Sequence, residues 1–326
     1  MMGRAWRYAG IIALLVVCLL IPHLISEYRL NLVISMLIYS LFAISYNMLF
    51  GQAGLLSFGH AAYFGIGGYT TAILFKHLNL PLLFGILAGG AAGGLLGLVL
   101  GIFVARMSGV SFALLTLAFN QLIYATAEKW RSLSGGEEGI NFTRPNISLP
   151  ILGEIDMFVT THWYYFTLLV VGLCIFACWY FTRTPLGRLN MCMRENEERA
   201  RVIGYNTYAA RVVIYVISTF FAGIAGALVS SFQEFISPTL INLDKAAEVL
   251  IMTFIGGSGT FLGPVLGACF MTYINDFLSS MTERWTLVQG AIFILLVLYA
   301  PRGISGLAIS GQKALLSLSS MRKSRQ

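Results

Sequence analysis

Residues 182–211 read TRTPLGRLNMCMRENEERARVIGYNTYAAR, a charge-dense island with six of the 21 Lys/Arg and three of the 14 Asp/Glu. Apolar runs at 163–181 and 212–232 adjoin it on both sides. Each run approaches the ~20 apolar residues that carry a helix across a bilayer. A polar stretch between two such runs is a connection at a membrane surface. Within it, Thr184-Pro185 suits a helix start, because a first-turn proline forfeits no intrahelical bond. A helical reading over 190–204 continues a stripe that begins at Leu189 and takes in Cys192 or Met193, Ala200 and Ile203. The same reading makes Arg194–Glu198, Glu195–Arg199 and Glu197–Arg201 i,i+4 pairs. Gly204 follows the last apolar residue, where helices commonly end in a left-handed cap. Basic amphipathic helices can lie on lipid, but three acids among six arginines argue against simple adsorption. The apolar stripe is read as a face that docks into a protein groove.

Working outward, hydrophobic residues make up 57% of the 326 and charged residues 11%, against roughly 25% charged in a soluble domain. Ten hydrophobic segments are expected, at 9–26, 30–50, 54–75, 81–105, 108–127, 163–181, 212–232, 246–257, 260–278 and 286–300. The eighth is short and reads as a broken or re-entrant element. Strict alternation from a cytoplasmic N-terminus places 14 Lys/Arg inside and 7 outside, as the positive-inside rule asks. The net charge of +7 is therefore a topology signal and not a nucleic-acid footprint. The whole of 1–326 reads as one transmembrane domain with both termini cytoplasmic. Its outer loop is 128–162, its main inner loop 183–211, and 303–326 is a basic inner tail. Arg4 and Arg7 precede the first run as in a signal peptide, yet the run is long and no A-x-A-like site follows, so an uncleaved span is expected. Cys18, Cys174, Cys178 and Cys269 sit in apolar runs and Cys192 in the inner loop, which gives no disulfide framework.

Each half of the chain carries a glycine-interrupted segment, GQAGLLSFGHAAYFGIGG at 51–68 and GGSGTFLGPVLG at 256–267. Such segments in corresponding positions of two halves point to an inverted-repeat-like arrangement around a central pathway. Glycine here has two readings. Small residues let helices pack closely in lipid, or they mark a break whose freed backbone lines a cavity. For 85–101 (GILAGGAAGGLLGLVLG) packing is favoured; for 51–68, which adds Gln52, Ser57 and His60, both readings stand. The candidate pathway-lining residues are Gln52, Ser57, His60, Gly65, Gly256, Gly257 and Gly259. His60 also reads as a neutral histidine tying a broken helix to a neighbour. Glu248 and Asp276 fall near outer span ends and are expected to be solvated there. Trp130, Trp163, Tyr164 and Trp285 read as an interfacial belt. Weak alternation around 147–158 suggests a short hairpin in the outer loop.

Glu198-Arg199-Ala200 followed by Gly204 resembles the E-A-A-x-x-x-G coupling loop of ABC importer permeases, with Arg199 departing from the usual alanine. RENEERARVIGYN (194–206) is similar to the inner loop of the LivM/LivH permease family. So are GLLSFGHAAYFGIGGYTTAIL (54–74), SGVSFALLTLAFNQL (108–122), FFAGIAGA (220–227), SPTL (237–240), GGSGTFLGPVLGA (256–268) and APRGISGL (300–307). The resemblance implies an all-α, two-half permease of the bacterial inner membrane that imports leucine, isoleucine and valine. It implies a related LivH-type permease as partner, two cytosolic ATPase subunits, and a periplasmic amino-acid-binding protein that delivers substrate. Arg194, Glu195, Glu198, Ala200 and Gly204 would then form the ATPase-coupling loop.

No G-x-x-x-x-G-K-[ST] phosphate loop occurs in the chain. No catalytic residue, bound cofactor or metal is expected of it, and ATP and Mg would be used by the partner subunits. Permeases for urea or short-chain amides share the same features, so those substrates remain open. A proton-coupled carrier would need mid-membrane carboxylates on facing helices, which the spans nearly lack. An intramembrane enzyme would need paired acids or a nucleophile with its base, and four scattered histidines supply neither.

Overall fold

The computed structural model describes residues 17–78, 80–149, 153–282, 284–299 and 303. Residues 9–16 of the expected first segment and all but Gly303 of the 303–326 tail lie outside the described residues, while 17–24 are helical. The remaining nine segments each correspond to a helix. Helix α1 (Glu27–Asn47) runs into a π-helical turn, Met48–Gln52. An irregular stretch at 54–59 leads to α2 (His60–Leu78), α3 (Leu82–Val104) and α4 (Gly109–Lys129). After the outer loop come α5 (Thr160–Arg183), α6 (Pro185–Glu195), α7 (Glu197–Val202) and α8 (Thr207–Gln233). The chain closes with α9 (Leu243–Gly256), α10 (Gly263–Met281) and α11 (Trp285–Tyr299).

Five helical stretches among the described residues are long and apolar enough to cross a bilayer: α1 with its π turn, α3, α4, α5 and α8. Helix α9, at 14 residues, is about 21 Å long at 1.5 Å per residue, short of a ~30 Å hydrocarbon core. It is the short eighth element the hydropathy pattern pointed to.

The core is built around α8, which packs along α2 and α3, while α1 packs against α5, α10 and α9. Glycine makes the first interface possible. A Cβ on Gly223 would lie 2.6 Å from the Gly89 carbonyl oxygen, and one on Gly226 would overlap the Phe64 carbonyl. Helix backbones therefore touch directly, and dispersion between close-packed atoms replaces side-chain interdigitation. Gly89 and Gly93 of the 85–101 run lie in this interface, as the packing reading expects. Two polar contacts inside join different elements: Tyr63 Oη with Tyr215 Oη at 2.7 Å, and Asn120 Nδ2 donating to the Ile241 carbonyl at 2.8 Å.

The outer loop holds two small antiparallel pairings. Strand β2 (Ile147–Leu149) pairs with β3 (Gly153–Ile155), which is the expected hairpin. Strand β1 (Ile140–Asn141) pairs with β4 (Phe235–Ile236), which fastens the loop to the end of α8. Trp163 and Tyr164 depart from the belt reading. Both are buried, and the Arg144 guanidinium lies 4.9 Å from the Trp163 ring centroid. Burial lowers the pKa of Arg144, with the carboxylates of Glu234 and Asp156 opposing that shift.

Candidate functional site

The 182–211 stretch folds as two helices. Thr184 caps α6, its hydroxyl accepting from the Gly187 N–H at 3.2 Å, with Pro185 in the first turn. Asn196 then turns extended (φ −160°, ψ 103°) and caps α7 with its Oδ1 on the Arg199 N–H at 2.9 Å. An asparagine side chain competes with the helical backbone for that bond, so the chain breaks where a continuous 190–204 helix was expected. The break separates Arg194 from Glu198 and Glu195 from Arg199, and neither pair forms. Only Glu197–Arg201 does, at 3.3 Å. Gly204 ends α7 with φ +98°. The Tyr205 N–H reaches the Ala200 carbonyl at 3.2 Å and the Gly204 N–H reaches Arg201 at 3.0 Å, the paired bonds of a Schellman cap.

Packing follows from this kink. Leu189, Met193 and Ala200 are buried with Ala210 in a small apolar cluster at the foot of α8. Cys192 and Ile203 are exposed, so the docking stripe is narrower than the helical reading made it. Glu195 and Glu198 are exposed. Beside them a groove of about 550 Å³ is lined by Leu189, Cys192, Glu195, Arg199, Ile203 and Tyr205, among others. Glu197 holds the unit to the bundle through an ion pair with Arg211, whose guanidinium also donates to the Ala105 and Met107 carbonyls.

Arg194 is exposed, but its guanidinium reaches back to the bundle. Its Nη1 donates to the Gly51 carbonyl oxygen, inside the π turn that ends α1. Its aliphatic stem leaves about 3.0 Å for a Cβ on Gly54, where φ is +70°. The two glycine-rich segments meet at the same place. Asn47 Nδ2 donates to the Thr260 carbonyl at 3.2 Å, and a Cβ on Gly51 would lie 2.5 Å from the Ser258 carbonyl. A single line of contact therefore runs from α6 through the first break to the second.

The seven pathway candidates divide into two groups. Gln52, Gly256, Gly257 and Gly259 belong to the two breaks. Gln52 is buried with its Oε1 unpartnered among the described residues. Gly257 has φ +97°, Gly256 packs on Gly263, and Gly259 faces open space. Ser57 is buried within the irregular 54–59 stretch, and His60 and Gly65 are buried in α2. Ser57 Oγ accepts from the Gly59 N–H at 3.2 Å. His60 Nε2 meets Ser45 Oγ at 2.9 Å, with the rings of Phe42, Tyr46 and Tyr63 around it. Gly65 lies under the side chain of Ile241.

One constellation was missed. Lys245 Nζ lies 2.6 Å from Glu248 Oε2 and 3.0 Å from Tyr39 Oη. The two charged side chains are only 16% and 17% exposed, so Glu248 is not a solvated span-end acid. The spacing is in the sequence, where a Lys and a Glu three apart, with Ala246 and Ala247 between them, share a helical face. Among the described residues no group of His, Cys, Asp or Glu could hold a metal.

The chain matches the family model described as "Branched-chain amino acid transport system / permease component" over residues 28–297. It belongs to that family. The permease is 26% identical over 317 residues to the high-affinity branched-chain amino acid transport system permease protein LivM of Salmonella typhimurium, spanning 90% of this chain and 74% of that protein. The same identity and coverage hold for LivM of Escherichia coli K12. LivH of Salmonella typhimurium is 25% identical over 289 residues, covering 82% of this chain and 91% of that protein. Membership makes this a multi-pass membrane permease component of a transport system and not an enzyme.

Proposed function

We propose that the permease forms one half of the pathway of an ATP-driven importer for leucine, isoleucine and valine. A LivH-type permease would form the other half. A periplasmic binding protein would deliver substrate to the 128–162 end, which sets the 182–211 end and both termini in the cytoplasm. Two ATPase subunits, using ATP and Mg, would dock on α6 and α7. The observation that carries this reading is the contact line from the exposed α6–α7 groove, through Arg194, to the junction of the two breaks. A soluble motor needs a handle on a bundle whose glycine-packed core does not deform. Here the handle ends on the irregular backbone. Exposed Glu195 and Glu198 give the handle its charged face, Gly204 ends it with a cap, and Ala200 roots it. Closure of the motor would then shift the breaks and alternate access, with Gln52, Gly257 and Gly259 lining the moving part.

The test is uptake by proteoliposomes holding this chain, its partner permease, both ATPases and the binding protein. ATP-dependent leucine uptake, lost in Glu198→Lys and Gly204→Trp with the complex still assembled, is the expected result. Urea uptake in place of leucine would move the substrate assignment. Uptake by this chain alone on a proton gradient would overturn the importer reading.

A further inference from the structure

At the 128–162 end, a cavity of about 620 Å³ opens between the end of α8, β4, α9 and α11. Its volume falls in the range of small-molecule sites, roughly 300–1,000 Å³. A second cavity of about 330 Å³, between α1 and α10, shares only Tyr39, Lys245 and Glu248 with the first. The three side chains are the partition between the two spaces.

The chemistry of the partition is specific. It presents one ammonium and one carboxylate, largely shielded from solvent, in a wall that is otherwise apolar or uncharged apart from Asp244. Phe235, Leu240 and Ile251 supply the apolar surface of the larger cavity. Asn275 Nδ2 holds the other oxygen of Glu248 at 3.3 Å, while its own buried Oδ1 has no partner among the described residues.

We propose that this cavity is a transit site for zwitterionic amino acids with apolar side chains. The substrate carboxylate takes Lys245, its α-ammonium takes Glu248, and its side chain lies on Phe235, Leu240 and Ile251. The inference rests on the importer reading above. Separating a shielded ion pair is costly when either partner is left alone. A zwitterion removes that cost, because it gives each partner an opposite charge and adds no net charge to the cavity. An amino-acid amide, which keeps only the ammonium, or a lone carboxylate leaves one member unmatched. Opening the pair also removes the partition. The exchange is close to balanced, so the site holds substrate weakly enough to release it, as a pathway must.

The test uses the assembled importer in nanodiscs with photo-leucine, the diazirine analogue of leucine, and maps cross-links by mass spectrometry. Cross-links on peptides containing Phe235, Leu240, Ile251 or Gln289 are expected, competed by leucine but not by leucine amide or isocaproate. Glu248→Gln and Lys245→Met should each lower labelling about tenfold or more. The apolar pair Lys245→Met with Glu248→Leu keeps a packed partition without its charges, and it should lose labelling while the complex stays assembled. Labelling and uptake unchanged in that double variant would overturn the proposal. So would cross-links confined to other cavities in an importer that still takes up leucine, which leaves the importer reading intact. If wild type transports urea and not leucine, the substrate assignment fails and the site falls with it.

Discussion

The α2–α3–α8 interface and the α6–break junction are both built on glycine, but to opposite ends. In the first, Gly223 and Gly226 bring whole helices into backbone contact, and no side chain can enter without moving a helix. In the second, Gly51, Gly54 and Gly257 sit where the helix is lost, held by Arg194 and Asn47 through single hydrogen bonds to carbonyls. Packed contacts are numerous and short-ranged, so the first region is expected to move as a body. A region held by a few polar contacts can exchange them one at a time. The lesson is that glycine count alone does not mark a moving part. What marks it is whether the glycine faces another helix or its own interrupted backbone.

The strongest test of this contrast is Gly226→Leu. The added side chain must displace the Phe64 carbonyl, and overpacking of this kind costs about 3 kcal/mol or more. Loss of the assembled complex in fluorescence-detected size exclusion, or a collapse of its thermal midpoint, is the expected outcome. A stable, active Gly226→Leu would show that α2 and α8 slide, and the division into rigid and movable parts would be wrong. Next comes Arg194→Met, which keeps the aliphatic stem over Gly54 but removes the donor to Gly51. We expect an assembled complex that hydrolyses ATP but imports leucine about tenfold more slowly, the equivalent of ~1.4 kcal/mol. Equal loss of hydrolysis and uptake would place Arg194 in docking and not in transmission.

Much of this division was legible in the sequence, for reasons that differ by residue. Apolar runs placed nine helices closely, because length and hydropathy are local properties and lipid enforces both. The 85–101 glycines read as packing because nothing polar accompanies them. Segment 51–68 stayed undecided because Gln52, Ser57 and His60 suit a break or a buried tie equally. The structure places Gln52 in the π turn, Ser57 in the irregular stretch after it and His60 at the start of α2, all three buried. The inner loop's charge density showed a docking unit, but not the kink at Asn196, where one side-chain acceptor outcompetes helical continuity. Arg194 is the exposed residue its position suggested, but its bond to a carbonyl more than a hundred positions away has no local signature. The Lys245–Glu248 pair was hidden by a rule of position, since span-end acids are usually solvated.

A smaller effect is expected from Glu197→Gln. It removes one charge from the pairs with Arg211 and Arg201, where Glu197 is 26% exposed and Arg211 13%. With solvent screening the cost is ~1 kcal/mol. The Ala105 and Met107 carbonyls keep Arg211 as donor. Uptake should fall about fivefold at most, and less at high salt than at low salt, because ionic strength already weakens the pair in the unaltered protein. A tenfold loss would mean that Glu197 anchors the whole coupling unit, and that α7 is part of the rigid body and not a lever.

Gly204→Ala is the mildest change and the sharpest discriminator. A Cβ there meets nothing within 4 Å, so the only penalty is the left-handed backbone, φ +98°, at about 1–2 kcal/mol for an L-residue. That penalty is local to the Schellman cap. If α7 is an independent handle, hydrogen exchange at residues 200–205 should accelerate while the thermal midpoint of the complex stays put. The same substitution at Gly226, sterically blocked, should move the midpoint and leave exchange at the cap unchanged. Crossed outcomes, with the midpoint falling for Gly204→Ala, would mean that the cap and the bundle unfold as one cooperative unit. The coupling loop could not then move while the core stays still.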